Sequence, residues 1–233
     1  MEISRTGDTH EEGRKGRGGR PRDQLIDTSV IVATLAILDA QGYGGVSVEA
    51  VARIAGTSRP AIYRRWGGRA PLVLAAIGER LDVPAPPDTG CTLCDLGEGF
   101  LVFLAAYRTI RPDVLSALYA DCASDSQLRD RYVATVIEPA RSTVGRSLDR
   151  AFSRGDLRPH VDRELLLDMV GSLVLYRSMF NSQGIGEQEA ERAIEILLQG
   201  AARDYSSLIA HMEKIRSEHF DDAGAHHIHS SPR

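Results

Sequence analysis

An all-α fold, with a three-helix helix–turn–helix head joined to a larger helical body, is predicted for this 233-residue chain by three observations. Apolar residues recur at steps of three and four through most of the chain, the period of one helix face. No stretch alternates apolar and polar residues as a half-buried strand would. Pro84, Pro86 and Pro87 crowd one short segment and forbid helix there, which divides the chain into a smaller and a larger part. With 42% apolar and 26% charged residues the chain can bury a core, and disorder throughout is excluded.

The head is legible element by element. From Asp23 onward Ile26, Val30, Ala33, Ile37 and Ala40 lie on one face of a helix that Gly42 stops, giving a first helix over about 23–41. Ser47 is placed to cap a short second helix whose Val48, Val51, Ala52 and Ala55 share one side, and Gly56 supplies the left-handed residue past its end. Ser58 caps a third helix with Pro60 in its first turn, Ile62 and Trp66 facing inward, and Gly67-Gly68 ending it. Two short helices joined by a glycine turn form a helix–turn–helix. Arg69 opens a fourth helix, with Pro71 in its first turn, that Leu72, Ala75, Ala76 and Ile77 carry to about Leu81.

Beyond the prolines the pattern predicts helices near 91–110, 113–123, 125–153, 162–181 and 187–214, with Pro139 kinking the third of these. The helix over 162–181 is apolar on nearly every side and has to be covered on more than one face. With the helix over 187–214 it suits a four-helix bundle shared with a twofold mate, and Leu166, Val170, Leu173, Ile194, Leu198 and Tyr205 are the expected interface. Phe100, Phe103, Tyr107, Tyr119, Tyr132 and Tyr176 supply most of the body's aromatic residues and are the expected lining of a small-molecule pocket, with core packing as the alternative for each. The expected organisation is a flexible basic arm (1–22), a DNA-binding head (23–68), a ligand-binding and dimerisation body (69–216) and a disordered tail (217–233).

The net charge of -4 conceals an asymmetry. Residues 13–69 hold ten arginines and lysines against Asp23, Asp27, Asp39 and Glu49, while the rest of the chain is acidic. A basic block at one end of an acidic chain fits a polyanion-binding module, and a solvated tail is the other reading of its glycine-rich first part. Three cysteines make no secreted disulfide framework, which points to a reducing, cytoplasmic setting. No uninterrupted apolar run reaches the roughly 18 residues of a membrane span, so no membrane partner is expected. Cys91 and Cys94 have CxxC spacing, but no strand precedes them, so redox or zinc chemistry is set aside. His226, His227 and His229 fall in the polar tail. No metal, no cofactor and no enzymatic activity are expected, since GxSxG, HExxH and phosphate-binding glycine loops are missing from the sequence.

Gly44, Ser47, Val51-Ala52, Ala55-Gly56, Ser58, Pro60, Ile62-Tyr63, Trp66, Arg69 and Leu72 resemble the amino-terminal signature of TetR-family transcriptional regulators. Arg65-Trp66 stands where that family usually has His-Phe, Thr57 where valine is common and Arg69 where lysine is common. Gly19 to Arg22 is similar to the arm before the first helix of many members, and Arg154 to Asp162 with Tyr176-Arg177 is similar to one subgroup's ligand and dimer domain. The resemblance implies a ligand-responsive regulator, a repressor by family habit, that binds a palindromic double-stranded DNA operator as a homodimer and is released by a small hydrophobic effector.

A helix–turn–helix sends its second helix into the major groove. Arg59 is then the expected base reader and Arg64 the second candidate, while Tyr63, Arg65, Ser47 and Arg69 are placed for the phosphate backbone, beside Ser58 and Pro60 at the start of the same helix. The glycine-rich arm is a candidate for the adjacent minor groove. Two other functions compete: an enzyme built on the CxxC or histidines, and a DNA-binding architectural protein without a sensor, against which the size of the body argues.

Overall fold

Packing rather than propensity decides how these helices assemble, and it does so around one continuous core. The computed structural model describes residues 20–81, 83–180 and 185–225. In chain order the helices are α1 (Arg20–Gly45), α2 (Val48–Ile54), α3 (Arg59–Trp66), α4 (Arg69–Arg80), α5 (Thr92–Arg108), α6 (Pro112–Cys122), α7 (Ser126–Tyr132), α8 (Glu138–Arg154), α9 (Arg163–Phe180), α10 (Glu187–Ala201) and α11 (Tyr205–Ala225), with a π-helical segment (Val133–Ile137) joining α7 to α8. Among the described residues there is no strand, only an isolated antiparallel bridge between Leu157 and Ala202.

In the head, α1 buries Val30, Ala33, Ile37 and Leu38 against Val48, Val51 and Ala52 of α2 and Ile62 of α3. By length and composition α1 could cross a membrane; here that apolar face is spent on the head's own core. Gly42 adopts φ 70°, which breaks the helical path at the expected residue. A side chain there would also run into the Asp113 carboxylate, so the turn requires glycine on two counts. α4 is buried along both sides, through Leu72, Val73, Leu74, Ala76 and Ile77, and packs on α1 as well as on α6, α7 and the π segment. Arg80 clamps Asp39 of α1 with two hydrogen bonds of 2.6 and 2.7 Å, and this holds the Asp39 carboxyl below the usual carboxylate range.

The body is centred on α5, which packs against α8, α9, α10 and α11. Pro139 cannot donate to the helical ladder and its ring crowds the preceding turn; the strain expected as a kink is taken up one turn earlier by the π segment, and the rod continues into α8.

The structure corrects the sequence reading at the carboxy-terminal end. The helix expected over 187–214 is two helices, divided at Ala202–Asp204 because Ala201 O accepts from Arg158 N (2.9 Å) and Arg203 N donates to Asp156 O (2.8 Å). Asp204 then restarts the chain as α11, its carboxylate accepting from Ser207 N at 3.2 Å. α11 runs on to Ala225, so 217–225 is helical where a disordered tail is expected. The arm up to Gly19 and the histidines of 226–233 lie outside the described residues.

Candidate nucleic-acid interface

The local chemistry that builds α2 and α3 also fixes what α3 shows to solvent. Ser47, extended at φ -128°, caps α2 by accepting from Ala50 N at 3.1 Å, and Ser58 caps α3 by accepting from Ala61 N. Between them Gly56 takes φ 63° and Thr57 N returns to Ala52 O at 3.0 Å, closing the turn. Gly67, also left-handed, ends α3 by donating to Tyr63 O.

With both ends fixed, helical geometry sorts the residues of α3. Ile62 is fully buried and Trp66 packs partly into the core, which turns Arg59, Pro60, Tyr63 and Arg64 to the outside. Arg59 lies 3.9 Å from Glu49 at the start of α2, a loose pair between exposed side chains. The outward face of a two-turn helix therefore carries two arginines, a tyrosine and exposed Ser58, with Ser47 beside it.

Two expected phosphate-facing residues are held elsewhere. Arg65 turns toward α1 and pairs with Asp27 at 2.9 Å, its side chain about four-fifths buried, so it fastens α3 to α1. Its position, one step around the helix from Ile62, puts it at the edge of the packed face. Arg69 lies over the Tyr43 ring at 4.5 Å and 3.7 Å from Asp121 of α6, and the Tyr43 hydroxyl donates to that same carboxylate. Burial, and then Asp121, push the Tyr43 phenol well above its ordinary pKa, so it stays a protonated donor. Tyr43 and Asp121 are absent from the sequence reading. A tyrosine after the helix-stopping glycine is a weak local signal for the first, and the contact with Asp121, 78 residues away, has none.

The other expected sites are also redistributed. Phe100, Phe103, Tyr107 and Tyr132 are buried, with the Phe103 and Tyr107 rings tilted at 55° and 5.1 Å between centroids and the Tyr107 hydroxyl donating to Val136 O at 3.3 Å. Burial raises both phenols, Tyr132 to about 12. Tyr119 and Tyr176 are 59% and 61% exposed, so the six aromatic residues do not line one pocket. The alternative of core packing holds for four of them. Of the residues expected at a subunit interface, Val170, Ile194 and Leu198 are buried within their own chain, and Leu166, Leu173 and Tyr205 are half-buried. The exposed apolar face of these helices is a neighbouring stripe, Leu165, Met169, Tyr176 and Phe180 of α9 with Ile196 of α10. Met169, Leu173, Tyr176 and Phe180 follow one another at steps of four, three and four, a signal present in the sequence beside the stripe that turned out to be core.

This geometry has counterparts. Residues 30–76 match the family model for bacterial regulatory proteins of the tetR family, and residues 86–197 match that for the tetracyclin repressor-like C-terminal domain. The chain is 26% identical over 178 residues to the uncharacterized HTH-type transcriptional regulator YdeS of Bacillus subtilis, covering 74% of this chain and 88% of that one. It is 27% identical over 159 residues to a protein of Mycobacteroides abscessus named DNA-binding transcriptional repressor TetR, covering 67% and 83%. The crystal structure of a TetR transcriptional regulator from Agrobacterium tumefaciens superposes with a TM-score of 0.58 at 19% identity, covering 79% and 98%, a likeness of fold.

The Arg65–Asp27 pair is predicted to act on stability. Arg65→Gln and Asp27→Asn should each lower the unfolding free energy, with a coupling of about 0.5 to 1 kcal/mol given that Asp27 is half exposed. Urea unfolding of the two single variants and the double variant measures it; a coupling of zero removes the structural role.

Proposed function

This chain belongs to the TetR family of bacterial helix–turn–helix transcriptional regulators, and from that premise we propose that it is a ligand-responsive repressor acting as a homodimer on a palindromic operator. The observation that carries the DNA reading is the outward face of α3, where Arg59, Tyr63 and Arg64 project while Ile62 anchors the helix below them. Arg59, in the first turn, offers the forked guanidinium that matches guanine O6 and N7. Arg64 is the second reader. Tyr63, Ser47, Ser58 and Pro60 face the phosphates and set the register. Arg69 belongs to the junction with α6, where the Tyr43 ring and Asp121 hold it.

The twofold arrangement is supported by the apolar face of α9 and α10. Met169, Leu173, Tyr176, Ala193, Ile196 and Leu197 border an open hollow of about 560 Å³. An apolar surface of this extent is costly in water, and a second copy laying the same face against it makes a self-complementary interface. Two heads related in this way can read half-sites about 34 to 36 Å apart. Repression is supported by the name of the Mycobacteroides relative. An effector is supported by the family's organisation and by α4, whose burial on both sides makes any shift in the body a shift in the head. Among α5, α8, α9 and α10, Leu96, Val144, Leu148 and Leu166 line an apolar void of about 20 Å³, which would have to widen to admit such a compound.

Arg59→Ala is expected to cost about 1 to 3 kcal/mol in operator binding and to relax preference at one position of each half-site. Competition binding with single-base operator variants checks this, and unchanged selectivity rejects Arg59 as a reader. Ile196→Arg should leave a folded monomer in sedimentation, because it places a charge at the proposed interface, whereas Leu198→Ala should lose about 2 to 5 kcal/mol of stability and remain dimeric. A dimeric Ile196 variant would exclude this face. A hydrophobic effector found by thermal shift should weaken operator binding about 5-fold to 150-fold at saturation; several chemically distinct binders that leave affinity unchanged would leave a body that only dimerises.

A further inference from the structure

The CxxC pair that the sequence leaves without a context acquires one in the fold. Cys91 is the last extended residue of the proline-rich connection, at φ -99° and ψ 113°, and is the N-cap of α5; its sulfur accepts from Cys94 N at 3.2 Å. The two Cα atoms are 5.2 Å apart and the sulfurs are bonded as a disulfide. The helix-start amide of Cys94 points at the Cys91 sulfur, the one that leaves when the pair is reduced and returns when it closes. The turn around the pair is held by side chains. Asp95, wholly buried, accepts from the backbone and hydroxyl of Thr89 at 2.8 Å each and lies 3.7 Å from Arg154, while Thr89 also accepts from Cys91 N. The cysteines are therefore held in bonding range by contacts that do not depend on the bond itself.

The two cysteines differ in exposure. Cys91 is 1% exposed, whereas Cys94 is half-buried and lines a cleft of about 260 Å³ between α5, α10 and α11. Leu93, Ile194 and Met212 give the cleft an apolar floor, and Glu98, Glu191 and Glu195 against Arg216 give its rim an excess of negative charge. A small disulfide with a cationic or neutral end is admitted there, and an anionic one is repelled.

We propose that Cys91 and Cys94 form a reversible thiol–disulfide exchange site, entered through the α5–α10–α11 cleft and selective for small cationic or neutral disulfides over anionic ones. The Cys94 thiolate attacks one sulfur of the incoming disulfide, whose S–S bond breaks and releases the first thiol. The Cys91 thiolate then attacks the Cys94 sulfur and expels the second. The two cysteines are oxidised to one disulfide, the small disulfide is reduced to two thiols, and the two cysteine protons leave on those thiols. Reduction by a small thiol runs the same path backward. This site does not rest on the DNA-binding reading. The third cysteine, Cys122, is buried and burial raises its thiol pKa, so it is the internal control.

The test uses the full chain, reduced and desalted, exposed to cystamine, hydroxyethyl disulfide or dithiodipropionate and followed by intact mass. Each rate is divided by that of a small reference thiol to remove intrinsic reactivity. Wild type should lose two hydrogens and keep no adduct. Cys91→Ser should stop with a cysteamine adduct on Cys94, and folded Cys94→Ser should take none on Cys91. Cystamine should outpace the isosteric dithiodipropionate at least about fivefold at low salt, the ratio falling toward one at about 0.5 M salt. Wild-type cysteines that stay reduced in excess cystamine, or hold a lasting adduct, overturn the exchange site whether or not the serine variants fold. A charge-independent rate overturns the cleft as its entrance.

Discussion

The rest of the molecule depends on α4 being buried on both sides. Leu72, Val73, Leu74, Ala76 and Ile77 are between 0% and 3% exposed, shared between α1 on one side and α6, α7 and the π segment on the other. A helix with a single apolar stripe would let the head hang from the body on a joint. A helix enclosed by both has no face free to slip, because each side chain that moves leaves a void in one core or overfills the other. Head and body therefore share a single core.

Polar contacts then fix the angle that packing alone leaves adjustable. Arg80 on Asp39, Arg111 reaching Asp39 O at 3.4 Å, Tyr43 N on Asp113 at 3.4 Å, and the Tyr43–Arg69–Asp121 group all join the end of α1 or the start of α4 to a partner across the junction. Individually these half-exposed pairs contribute little. Together they are directional, which dispersion forces are not. Arg65 has the same role inside the head, where it holds α3 to α1. The arginines of the basic segment thus divide into some that present charge outward and some that orient the helix presenting it.

In the body, α9 and α10 each carry apolar residues on more than one stripe, and only one stripe of each is taken up by the chain's own core. Val170, Val174, Ile194 and Leu198 are used there; Met169, Tyr176 and Ile196 are left in solvent. The proposed second copy would cover what remains. At the other end of α5, the Thr89–Asp95–Arg154 contacts fix the turn where the chain enters the body, so the cysteine pair stands on the connection that leads from α4.

The sequence by itself determined the all-helical class, both serine caps and the left-handed turns at Gly56 and Gly67. All of these follow from interactions within a few residues, and their periodicity and capping chemistry survive without knowledge of the rest of the chain. It also carried the family resemblance, because that signature is local. What only the tertiary structure decided involves distant partners. Arg65 and Arg64 are neighbours in sequence and alike in chemistry, yet Asp27 engages one and leaves the other exposed. Phe103 and Tyr176 are equally aromatic, yet one is core and one is surface. On a helix apolar all round, such as α9, hydropathy cannot say which stripe faces inward, and the break before α11 comes from backbone bonds to Asp156 and Arg158. Local sequence specifies each helix, but the side it buries depends on neighbours that only the folded chain brings together.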